Sequence, residues 1–105
     1  MTELHGGCLC GAVSYAVTPP TLWCAHCHCT MCRISHGAGY VTWFGVPDAQ
    51  FQLTRGTLDL VWHHSSSTAE RAFCRHCGTR LFFRGSRWPG EIHVALASLH
   101  EALDR

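Results

Sequence analysis

Seven of the eight cysteines in this 105-residue chain fall into three close spacings: Cys8-Leu9-Cys10, Cys27-His28-Cys29-Thr30-Met31-Cys32 and Cys74-Arg75-His76-Cys77. A tetrahedral zinc site needs four ligands, and a close pair delivers two of them from one short turn. The pairs Cys8/Cys10 and Cys74/Cys77 together complete one such site. Cys27, Cys29 and Cys32 then stand apart with three. Four thiolates are the pattern of a structural zinc; three protein ligands with an open fourth position are that of a catalytic one. The spacing therefore predicts two zinc ions with different jobs. All-thiolate sites also suit iron.

The competing use of so many cysteines is a disulfide framework. The N-terminal residues Met1-Thr2-Glu3-Leu4-His5-Gly6-Gly7 show no basic region and no apolar run of the secretory kind, and no stretch approaches membrane-spanning length. The expectation is a soluble cytoplasmic protein without a membrane partner, where reduced thiols bind metal. The net charge is +1, and no run of Lys or Arg is present, which argues against a nucleic-acid partner. The length suits one small domain over residues 1–105, of a size that often needs staples. Most of the nine histidines are scattered and read as ordinary surface or core residues.

The pattern between the cysteines is β-rich. Val13, Tyr15 and Val17 alternate with small residues as a half-buried strand does. Further strands are expected at Tyr40–Phe44, Phe51–Thr54, Leu58–Trp62, Glu70–Phe73, Arg80–Phe83 and Ile92–Leu96. Arg55-Gly56 is a turn between two of them, and Ser65–Thr68 is a loop. Cys74 and Cys77 sit in a knuckle between flanking strands. The helical candidates are Cys29–Ser35, stopped by Gly37, and a tail over Ser98–Leu103.

Joining pairs 64 residues apart would close most of the chain through Cys8, Cys10, Cys74 and Cys77, so this site reads as scaffold. The trio Cys27, Cys29 and Cys32 reads as the functional centre. With one vacancy it favours an incoming thiol, because zinc holds a bound thiol as the thiolate. Cys24 leaves that reading open: Cys24-Ala25-His26-Cys27 is a further Cys-x-x-Cys step. Cys24, His26, His28 or His36 could supply a fourth ligand and close the site. Alternatively, Cys24 is a small buried strand residue. Arg33 and Arg75 lie where they could offset thiolate charge.

Three blocks of this sequence, in this order, resemble the glutathione-dependent formaldehyde-activating enzyme family, also called the centromere-protein-V-like family. They are Gly6-Gly7-Cys8-Leu9-Cys10-Gly11-Ala12-Val13-Ser14-Tyr15, Cys27-His28-Cys29-Thr30-Met31-Cys32-Arg33 with Gly37, and Phe73-Cys74-Arg75-His76-Cys77-Gly78-Thr79-Arg80-Leu81-Phe82. Val41–Pro47 and the Ser65/Ser66 stretch followed by Arg71 before Phe73-Cys74 match as well, and the resemblance covers about residues 4 to 99. It implies a mainly β, zinc-bound, Mss4-like fold with short helical turns. It implies a structural zinc on Cys8, Cys10, Cys74 and Cys77 and a catalytic one on Cys27, Cys29 and Cys32. The activity it implies is a carbon–sulfur lyase reaction joining formaldehyde to glutathione. Two departures bear on the substrate. The chain stops soon after Leu99, where longer members continue, and His100 stands where many members carry Asp.

The expected function is thus a zinc-dependent carbon–sulfur lyase acting on a thiol–aldehyde adduct, with a small thiol, glutathione by resemblance, as its partner. The alternative is a non-catalytic zinc module that binds a protein or nucleic acid, which a trio closed by Cys24 would favour. No general base is identifiable, although His28 and His36 lie near the trio in sequence.

Overall fold

A computed structural model describes residues 2–105. The alternating segments form strands, and the fold is mainly β. In chain order the elements are β1 (Leu4–Gly7), β2 (Ser14–Val17), β3 (Trp23–Cys27), α1 (Thr30–His36), β4 (Val41–Pro47), β5 (Phe51–Arg55), β6 (Leu60–His64), β7 (Ala69–Cys74), β8 (Arg80–Gly85) and β9 (Glu91–Ala95). Short 3₁₀ turns lie at Asp48–Gln50 and Leu96–Ser98. Among the described residues no helix is long and apolar enough to cross a membrane.

The strands make two antiparallel sheets, β1-β2-β5 and β3-β4-β9-β8-β7-β6. Residues directly opposite one another share a face of a sheet, so the register sorts the larger sheet's side chains into two rows. One row is Phe44, Val94, Phe82, Ala72 and Trp62. It packs against Tyr15 and Val17 of the smaller sheet and Val13 just before β2 to make the main core. The fully buried Val and Phe side chains among them contribute about 1.5–3 kcal/mol each of transfer free energy. The other row is Trp23, Gly45, His93, Phe83, Arg71 and His63, one residue from each strand in spatial order. Together with α1 this second face builds a smaller cluster around Cys32, Val41, Trp43, Phe83 and Ala95.

Three expectations need correction. The tail Ser98–Leu103 is not a helix: it turns once at Leu96–Ser98 and then runs irregularly. Its side chains instead strap the chain. Glu101 accepts a hydrogen bond from the His5 N–H at 2.7 Å, and Asp104 accepts from the Thr21 N–H and hydroxyl at 3.0 and 2.8 Å. Cys24 is an exposed residue of an edge strand, not a buried one. Strands β1 and β3 form where no strand was expected. β1 carries Gly6-Gly7, and β3 has one large apolar side chain, Trp23, among small, thiol and imidazole ones, so neither shows a strong apolar alternation. Phe51–Arg55 and Leu60–His64 are strands, but they go to different sheets.

Candidate functional site

The cysteine blocks come together in two groups. In one, the sulfurs of Cys8, Cys10, Cys74 and Cys77 all lie within 4.8 Å of one another. Cys8 and Cys10 come from the loop after β1, and Cys74 and Cys77 from the β7–β8 turn, so the group links the two sheets. The Cys8–Cys10 and Cys10–Cys74 sulfur distances are both 3.7 Å. Zinc–sulfur bonds of 2.3 Å in a tetrahedron require an edge of about 3.8 Å, so the spacing fits a shared ion. Backbone N–H groups are aimed at the sulfurs, from Val13 to Cys8 at 3.3 Å and from His76 to Cys74 at 3.4 Å. Such donors suit thiolates. The Thr79 hydroxyl, 3.1 Å from Cys77, leads the interactions that hold that thiol down to about 5. Cys10 is pushed up to about 11: the Ala12 N–H works against the shift, but desolvation and its three thiol neighbours outweigh it. Four thiols this close cannot all ionise unless a cation joins them.

The second group is Cys27, Cys29 and Cys32, again within 4.8 Å. Cys27 ends β3. Cys29 is the N-cap of α1, its sulfur accepting the Cys32 N–H at 3.3 Å, and Cys32 is buried in the first turn. Gly37 ends the helix in the left-handed region at φ 61°, which fixes its length at two turns. The Cys32 N–H is the main cause of a lowered Cys29 pKa, with Arg71 adding to it. Burial pushes Cys27 up to about 11, and its neighbouring thiols reinforce the shift. The donor set and spacing fit a metal with three sulfur ligands.

Among the described residues no fourth Cys, His, Asp or Glu joins this group. Cys24 lies three residues before Cys27 on the same strand, so its side chain leaves the opposite face of the sheet. His26 bonds to Thr42 at 2.8 Å and packs on Tyr40, as does His28. His36 turns edge-on to Trp43, where burial, then Arg71 and Arg80, lower its pKa to about 4.

The compensating cation is not Arg33, which is exposed, nor Arg75, which bonds to the Leu58 carbonyl at 3.3 Å. It is Arg71. This arginine is 7 % exposed, lies over the Phe83 ring at 5.0 Å and donates from both terminal nitrogens to Cys32 sulfur at 3.5 and 3.6 Å. Motif reading missed its contact with the trio because that contact depends on the β6-β7-β8 register.

The trio opens onto a cavity of about 480 Å³ whose apolar wall is Trp23, Trp43, Phe83 and Trp88. Gly45 makes this wall possible. A Cβ there would meet the Trp23 indole at 2.5 Å, so glycine lets the ring lie flat across the sheet toward His93. Glu91 accepts hydrogen bonds from Trp23 Nε1 at 3.2 Å and pairs with His93 Nε2 at 3.1 Å, fixing both rings. Burial keeps the His93 pKa below its ordinary value, although Glu91 opposes the shift. Trp43 lies in the Val41–Pro47 segment, but Trp23 and Phe83 carry no motif and are brought together by the cross-strand register, with Trp88 added from the β8–β9 connection.

The comparisons agree with this geometry. The family model for glutathione-dependent formaldehyde-activating enzyme matches residues 3–105. An uncharacterized lyase of Schizosaccharomyces pombe is 37% identical over 90 residues, covering 79% of this chain and 58% of the relative. The chain thus spans little more than half of that relative's length. A putative glutathione-dependent formaldehyde-activating enzyme of Halomonas elongata is 29% identical over 108 residues, covering 97% of this chain and 69% of that protein. The crystal structure of a Rhodobacter sphaeroides protein superposes with a TM-score of 0.79 at 27% identity, covering 96% of this chain and 92% of the other. With cysteine groups able to hold metal and a family match along nearly its whole length, the chain belongs to the glutathione-dependent formaldehyde-activating enzyme family.

Proposed function

We propose that this protein is a zinc-dependent carbon–sulfur lyase acting on an adduct between a small thiol and an aldehyde. In this reading Cys8, Cys10, Cys74 and Cys77 hold a structural zinc, and Cys27, Cys29 and Cys32 hold a second zinc at the reaction site. The observation that carries the reading is the set of three clustered sulfurs, without a fourth ligand among the described residues, at the wall of an aromatic cavity. Bound there, zinc supplies one kind of chemistry: it keeps an incoming thiol deprotonated at neutral pH, below the free value of ~8.5.

The chain's own residues do the rest. Arg71 balances the negative charge that three thiolates leave on the site and holds Cys32 in place. Trp23, Trp43, Phe83 and Trp88 give the cavity an apolar wall, which leaves a sulfur bound against it less solvated than in bulk water. The sulfur attacks the aldehyde carbon, forming the C–S bond, and the carbonyl oxygen takes up the proton that the thiol gave off. The reverse breaks the same bond. Glutathione, named for the family and for the Halomonas relative, is the first thiol to try.

Titration calorimetry of the zinc-loaded protein with glutathione, in two buffers of different ionisation enthalpy, tests this. Binding with release of a proton is expected, unchanged in Cys24→Ala and lost in Cys29→Ser. Binding that appears only in Cys24→Ala would mean Cys24 fills the fourth position. The protein would then be the closed, non-catalytic module.

A further inference from the structure

Arg71 faces two cavities. Beyond the aromatic one lies a second, of about 410 Å³, between α1 and strands β6, β7 and β8. Strands and loop contribute His63, Ser65, Arg71 and Arg80 to its lining, and α1 contributes the apolar Met31 and Ile34 with the hydroxyls of Thr30 and Ser35. No carboxylate lines it, and neither Arg71 nor Arg80 pairs with a carboxylate among the described residues.

Among the described residues, three buried side-chain polar atoms lack a hydrogen-bond partner, and two of them, Arg71 Nε and Ser65 Oγ, belong to residues lining this cavity. Buried donors left unpaired are rare in folded proteins and call for an explanation. Arg71 is more than nine-tenths buried; both terminal nitrogens donate to Cys32, and Nε is the guanidinium nitrogen with no partner. Arg80 is held by its stacking at 4.6 Å over the Phe73 ring. An N–H, a hydroxyl and a second guanidinium around one cavity suit a carboxylate, which has two oxygens and only accepts.

We propose that this cavity is the carboxylate subsite for the thiol whose sulfur the Cys27/Cys29/Cys32 centre receives, with Ser65, Arg71 and Arg80 as its donors. The assignment rests on the proposed thiol site. Because Arg71 touches both Cys32 and this cavity, one side chain links recognition of the acid group to the sulfur end.

The test uses zinc-loaded protein, the parent and the variants Arg80→Gln and Ser65→Ala. Calorimetry compares glutathione, its diethyl ester, which lacks both carboxylates, and 2-mercaptoethanol. Arg80→Gln should bind glutathione about tenfold more weakly, the cost expected for one charged hydrogen bond, and Ser65→Ala should lose less. Both should bind 2-mercaptoethanol and the ester as the parent does, which also shows that they fold. An equal loss for the ester, or no loss for glutathione, overturns the subsite while leaving the thiol centre intact. Acetate shifting the Ser65 amide resonance while glutathione and its ester bind alike means a free-anion site instead, and likewise overturns the proposal. If no thiol binds the parent at all, the thiol centre fails and the subsite fails with it.

Discussion

The two cysteine groups have the same chemistry and opposite surroundings. Cys8 and Cys74 belong to the main core between the sheets, and their group joins segments far apart in the chain. The trio lies on the other face of the larger sheet, is drawn from six consecutive residues, and borders a cavity and a buried arginine. Thiolates that tie distant strands together have their energetic effect on the whole fold. Thiolates gathered within one strand end and one helical turn close little chain, so the fold can leave a coordination position free there. A ligand set becomes scaffold or reaction centre through what it connects and what borders it.

The largest expected effect breaks the scaffold side. Structural zinc is worth about 10–16 kcal/mol in small domains, as much as or more than the ~5–15 kcal/mol of a whole fold. Cys74→Ser should therefore remove the cooperative melting transition seen by circular dichroism. A variant that melts within a few degrees of the parent would show that the four-thiol group is not scaffold.

Cys29→Ser sharpens the other side. It should lose one metal equivalent and all thiol binding, yet shift the melting temperature by only about 4–8 °C, the size of a ~1 kcal/mol change in a chain of this length. Metal analysis beside a melt checks both halves. Unfolding as complete as in Cys74→Ser would erase the contrast.

Gly45→Ala probes the cavity without touching a thiol. The added methyl must displace the Trp23 indole, at a cost of about 1–3 kcal/mol. Thiol binding should weaken while both metals stay bound, and tryptophan emission should shift to the red. Unchanged binding would remove the Trp23 wall from the site.

Much of this was open to sequence reading. The strands around Tyr15, Trp43, Phe73 and Phe82 announce themselves by composition, and α1 begins and ends within a residue of its expected bounds. The grouping of the cysteines followed from spacing. The cavity did not. Phe82 and Phe83 are adjacent and both buried because the larger sheet is covered on both faces, so alternation could not say which one faces the thiols. Arg71, Trp23 and His93 meet only through a register running across six strands. The strapping of the tail through Asp104 and Glu101 depends on polar contacts to residues about 80 or more positions away, which no local pattern shows.

The smallest effect separates the faces by pH. In the fold, burial, then Arg71 and Arg80, hold His36 to about 4, against ~6.5 in an unfolded chain. Between those values the unfolded chain binds the extra proton, so stability falls as pH drops from 6.5 toward 4. The half-exposed ring limits the effect to about 1 kcal/mol. His36→Gln should flatten that part of the stability profile relative to the parent, since the cysteine titrations are common to both. Identical profiles would place His36 outside the acid response.

The central contrast, a closed site and an open one, is read most directly by counting sulfurs around the metal. X-ray absorption of the protein loaded with two zinc ions should give seven sulfurs shared between them, an average of 3.5 per ion, from the two cysteine groups. Adding glutathione should raise the average to four. An average of four before any thiol is added, unchanged by glutathione and falling in Cys24→Ala, would show the trio closed by the eighth cysteine and contradict the account.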